Sequence, residues 1–111
     1  MNDLVTDLQH KLKMIDRAID TLAKNGQRLA QSEMNYRMEL AKTILTLRAD
    51  GVPVTIINDL ARGDPKIAAL KFDRDTHQSI YDANTEAINA WKLEARIMEA
   101  QIGREWGRTE V

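Results

Sequence analysis

The chain contains no cysteine, and this excludes disulfide scaffolding, thiolate metal sites and cysteine nucleophiles together. Only two prolines and five glycines interrupt its 111 residues, so few positions are built to break a helix. Aromatic side chains are scarce: Tyr36, Phe72, Tyr81, Trp91 and Trp106 are the full set. The core must therefore come from Leu, Ile, Met and Ala, a supply that suits helix packing. Neither charge sign dominates, with 16 basic against 17 acidic side chains and a net charge of -1, so a strong non-specific pull toward nucleic acid or anionic lipid is not expected. The longest apolar run, Ile67 to Leu70, is far too short to span a membrane, and Met1-Asn2-Asp3-Leu4 lacks the charged-then-apolar pattern of a secretion signal. Against these absences stand 43% apolar and 30% charged residues, the balance of a folded soluble protein. A cytoplasmic location is expected.

Heptad-like spacing is the strongest positive signal. Apolar positions run Leu4, Leu8, Leu12, Ile15, Ile19, Leu22, Gly26, Leu29, Glu33, Tyr36 and Leu40 in alternating steps of three and four, with Gly26 and Glu33 keeping the phase. Lys24-Asn25-Gly26 offers a competing helix stop, but the seam resumes in phase beyond it, so one helix is expected over about 3–49. Asp50-Gly51 then supplies a left-handed cap, Val52-Pro53-Val54 is extended, and Thr55 caps a short helix over about 55–62 with Ile56, Ile57, Leu60 and Ala61 on its apolar face. Gly63 is expected at positive φ, and Asp64-Pro65 starts a third helix as N-cap and first-turn proline. Its seam reads Ile67, Leu70, Arg74, His77, Tyr81, Asn84, Ile88, Trp91, Ala95, Met98 and Ile102, with the helix reaching about residue 106.

The fold expected is all-α, a single domain over 1–111 made of a long antiparallel helical hairpin with a short helix at its elbow. Counting back from the elbow, facing residues should have numbers adding to about 114, so Leu12 meets Ile102, Ile15 meets Met98 and Ile19 meets Ala95. Glu33 then falls near His77 and Tyr81 in a shared polar layer. A second apolar line lies beside each seam: Met14, Ala18, Met34, Met38, Ala41 and Leu45 on the first helix, and Ala69, Ile80, Ala83, Ala87, Ala90 and Ile97 on the other. An uncovered stripe of that length implies self-association, most simply a dimer closing into a four-helix bundle or a higher homo-oligomer.

No arrangement of residues in the sequence calls for catalysis. His77, with Asp73 and Tyr81 one turn to either side and Glu33 across the seam, has the types that bind metal or move protons, but a histidine in a polar layer more often fixes register. Asp16 and Asp20, Glu33 and Arg37, Asp20 and Lys24, and Lys71 and Asp75 are helix-surface pairs at four-residue spacing. Arg62-Gly63-Asp64 spells an adhesion tripeptide, which helix punctuation explains better. Phosphate loops, nucleophile elbows, His-Glu metal motifs and calcium loops are all absent, so no catalytic residue, cofactor or metal is assigned. The segment Leu47 to Arg62 has the spacing of a helix-turn-helix, and Thr55, Asn58, Arg62 and Lys66 are its candidate contacts for nucleic acid or a partner. Asp50, Asp59 and Asp64 make that helix acidic, so nucleic acid is the less favoured ligand.

The elbow string Leu47-Arg48-Ala49-Asp50-Gly51-Val52-Pro53-Val54-Thr55, the run Leu60-Ala61-Arg62-Gly63-Asp64, and Ala87-Ile88-Asn89 followed by Lys92-Leu93 and Arg104-Glu105-Trp106 resemble a family of small uncharacterised helical proteins encoded by phages and prophages of Gram-positive bacteria. The resemblance covers the elbow and much of the last helix. It implies a gene neighbourhood of phage recombination or replication, a place in the host cytoplasm, and no assigned activity or site residue; inhibition of a host defence system is compatible with it. The functional expectation is a non-enzymatic homo-oligomer that binds another protein as an accessory factor. The alternative is a nucleic-acid-binding accessory protein using the elbow helix and nearby basic residues.

Overall fold

A computed structural model describes residues 2–109 of the chain. The protein is all-α, an antiparallel helical hairpin of α1 (Asn2–Ala49), α2 (Val54–Gly63) and α3 (Pro65–Thr109). α1 runs through Asn25 and Gly26 without a break, as the in-phase seam predicts. No helix among the described residues is long and apolar enough to cross a membrane.

Backbone chemistry explains the turn. The Gly51 N–H donates to the Arg48 carbonyl and the Val52 N–H to the Leu47 carbonyl, each at 3.1 Å, which is the paired closure of a helix ended by a left-handed residue. Gly51 supplies that residue at φ 80°, the only positive φ among the described residues. Two details differ from the sequence reading. α2 starts at Val54 with Pro53 in the capping position and no side-chain cap, so Thr55 is inside the helix; the Ile56 N–H donates to the Pro53 carbonyl instead. Gly63 has no positive φ, because Asp64 in an extended conformation (φ -62°, ψ 128°) ends α2 and caps α3 at the same time. The Asp64 carboxylate accepts the Lys66 N–H at 2.8 Å and its carbonyl accepts the Ala68 N–H at 2.9 Å, with Pro65 at the first helical position.

The contacts divide into two compact units, Met1–Lys24 with Asp82–Val111, and Asn25–Tyr81. In the first, Ile15, Ala18, Ile88 and Ala95 form the core, with Leu8, Leu22 and Trp91 packed against it. Leu12 and Ile19, expected in the seam, are 48% and 44% exposed, and Lys11 and Ala18 occupy the inward positions one residue earlier. The cause is steric and electrostatic. Ala18 is small enough for the Asn84 amide to reach its carbonyl at 3.5 Å, while Lys11 lays its ammonium on Glu94 at 2.7 Å and 6.0 Å above the Trp91 ring.

In the second unit, Tyr36, Ile57, Ala61 and Ile67 are buried with the polar Asn25 and Ser32, and the Ser32 hydroxyl donates to the Leu29 carbonyl at 2.8 Å. Glu39 meets Lys66 at 3.1 Å and Glu33 meets Arg74 at 3.4 Å. In both units the residue facing a given α1 position therefore lies roughly two to three helical turns earlier in α3 than the elbow count gave. The chain reverses at Gly51, before α2, so α2 already belongs to the returning arm; Arg62 near its end shares a cavity with Tyr36 and Leu40. Ile15 accordingly shares its core with Ile88 and Ala95, with Trp91 packed against them.

Gly26 and Gly51 respond oppositely to a methyl group. A Cβ on Gly26 would meet the Tyr81 ring at 3.4 Å, ordinary contact, so Gly26→Ala should raise stability by about 0.5–1 kcal/mol through helix propensity. Gly51→Ala meets nothing but must hold positive φ, and should lose about 1–2 kcal/mol. Urea unfolding of both variants checks the pair of signs.

Candidate functional site

The residues singled out from sequence fall into two places in the second unit. Glu33 and Tyr81 line one cavity with Gly26, Leu29, Ala30 and Gln78. His77 engages Asp73 one turn earlier, Nε2 to Oδ1 at 3.5 Å. Glu33 is tied to cations: its Oε1 accepts from Arg37 Nε at 2.6 Å and its Oε2 lies 3.4 Å from Arg74 Nη1. The Arg37 hydrogen bond, aided by the positive charge of both arginines, holds the Glu33 carboxyl below its ordinary value. Among the described residues no group of three or more His, Asp or Glu side chains is placed to hold a metal ion.

The elbow candidates separate. Thr55 and Asn58 are exposed on α2, and Lys66 is engaged with Glu39, whose carboxyl that contact lowers. Arg62 instead points toward α1 and α3, where it lines a cavity of about 320 Å³ with Glu33, Tyr36, Arg37, Leu40, Lys71 and Arg74. One carboxylate thus faces four cations. The floor is fixed: the Arg74 guanidinium lies 4.8 Å over the ring of buried Tyr36 and is gripped by Asp75 Oδ1 through Nε at 3.1 Å and Nη2 at 2.8 Å. Asp75 therefore serves Arg74, and the expected Lys71–Asp75 pair is not formed; nor is Asp20–Lys24, while Glu33–Arg37 is.

A third feature is apolar. Met34, Met38, Ala41 and Leu45 lie at three- and four-residue spacing on α1, and all four are exposed, Met38 by 51% and Leu45 by 63%. Met38 also borders a groove shared with Asn35, Glu39, Lys66 and Leu70. In the sequence this line was visible by its spacing, although Met14 and Ala18, read there as its first members, are half-buried and buried; the four-cation cavity was not visible, because its members come from three helices.

Comparison with protein-family models, curated proteins and solved structures finds no match to this chain.

Proposed function

We propose that this protein is a non-enzymatic helical homodimer, closed as a four-helix bundle, that acts by binding another protein. The observation that carries the reading is surface area. The chain exposes 8136 Å², whereas a folded monomer of 12.6 kDa exposes about 6,200 Å² by the usual scaling of area with mass. The excess, about 1,900 Å² per chain, is more than the ~800 Å² each partner gives to a typical stable interface and is in the range of obligate dimers. The exposed line of Met34, Met38, Ala41 and Leu45 is the part of that surface best suited to a second helix pair, since its spacing is that of a packing seam and methionine adapts to irregular contacts.

The resemblance to phage-encoded helical proteins supports an accessory role beside recombination or replication proteins, or against host defence, and either role works through protein contacts. The reading is tested by charging the face: Met38→Glu with Leu45→Glu should abolish self-association and leave helix content unchanged. A double variant that assembles like the wild type would overturn it.

A further inference from the structure

The cavity lined by Arg37, Arg62, Lys71 and Arg74 is not accounted for by self-association through the methionine face, and its chemistry is of a different kind. We propose that it is a phosphate-binding site, shaped to take the phosphodiester of a nucleic-acid strand. The four cations converge from α1, α2 and α3 on one concavity that holds a single carboxylate, in a chain whose formal net charge is -1. Like charges gathered in one place repel, and an anion is the natural complement.

The cations divide the work. Arg74 and Arg37 are anchored by Glu33, and Arg74 also by Asp75 and the Tyr36 ring, so two guanidiniums are held in place before any ligand arrives, and the uncompensated charge is that of Arg62 and Lys71. Arg62 and Lys71 are exposed side chains that make no ion pair, free to close on phosphate oxygens from two sides. The nearby carboxylates do not compete: Asp64 caps α3, Asp75 holds Arg74, and Asp59 is not part of the lining. With the Tyr36 ring covered by Arg74, no aromatic face is offered to a base. Recognition is therefore of the backbone, independent of sequence. The lining comes from side chains of three helices, without a loop of backbone amides that would wrap a small phosphate, which favours a strand over a free nucleotide.

The test is fluorescence-anisotropy binding of a labelled mixed-sequence single-stranded oligonucleotide to the full chain across a salt series. Arg62→Gln with Lys71→Gln should weaken binding at least tenfold at low salt and flatten the slope of log affinity against log salt by about 0.7 for each cation removed. Both side chains are exposed, so circular dichroism should be unchanged. Lys13→Gln with Lys24→Gln removes the same charge elsewhere and should cost less than twofold. Equal losses in the two double variants, no binding by the wild type at low salt, or binding of ATP without binding of the oligonucleotide would each overturn the assignment. Because Arg62 and Lys71 lie outside the apolar line, sedimentation of the Arg62→Gln/Lys71→Gln variant should match that of the wild type, so failure here is distinguishable from failure of the dimer.

Discussion

Met38→Glu combined with Leu45→Glu is expected to leave a folded monomer at concentrations where the wild-type chain is paired. Each substitution puts a carboxylate into a face that would be covered, and an ion buried without a partner costs several kcal/mol. With both residues changed in both copies, dissociation should be favoured by a hundredfold or more, at about 1.4 kcal/mol for each factor of ten. The fold itself is spared because Met38 and Leu45 already expose about half or more of their surface in the single chain. Linkage gives a second readout: the melting temperature of the wild type should rise with protein concentration, and that of the variant should not. Unchanged assembly of the variant would remove this face from the account even if the protein is oligomeric.

The second large effect belongs to the turn region. Among the described residues Ile67 is the largest fully buried side chain, 1% exposed, and Ile57 and Ala61 of α2 are buried in the same unit. Ile67→Ala removes three carbons from a closed site, so the loss should be about 2–5 kcal/mol, with Ile67→Val near 1 kcal/mol as the graded control. The melting temperature should fall by roughly 10–20 °C for the alanine variant. A loss below about 1 kcal/mol for Ile67→Ala would mean that the start of α3 is not held by packing and that α2 is only a connector.

That result would bear on how the sequence is read, because α2 is where reading and structure part. The seam of α3 was legible in full: Ile67, Leu70, Arg74, His77, Tyr81, Asn84, Ile88, Trp91, Ala95, Met98 and Ile102 are all at least partly buried. The seam of α1 was legible at Leu4, Leu8, Ile15, Leu22, Gly26, Leu29, Glu33, Tyr36 and Leu40, all at least partly buried, but not at Leu12 and Ile19. Leu12 and Ile19 are the apolar choices, whereas the structure turns in Lys11 and Ala18, and a one-residue rotation of a helix leaves the three-four rhythm intact. Only the partner helix decides between them, through Glu94, Asn84 and Trp91. The register was misread for a related reason. A count that treats α2 as part of the elbow places the reversal too late, since Gly51 turns the chain back before α2 begins.

The four-cation cavity follows from that register. Arg37, Arg62 and Lys71 occupy surface positions in the one-dimensional pattern and Arg74 a polar position of the seam, and they meet only once α2 lies on the returning arm. The sequence reading did single out Arg62, but it grouped it with Lys66, which the fold commits to Glu39. Glu33 was singled out for its place opposite His77, and its main role is to fix Arg37 and Arg74. In the methionine face the reverse holds: spacing along a single helix exposed the line, and the structure leaves Met34, Met38, Ala41 and Leu45 open to solvent.

Sedimentation equilibrium of the wild-type protein at micromolar concentration tests the central claim most directly. The expected mass is twice the 12.6 kDa of one chain, with the area excess of the isolated chain as its cause. A mass of 12.6 kDa, unchanged as concentration rises through the micromolar range, would contradict it.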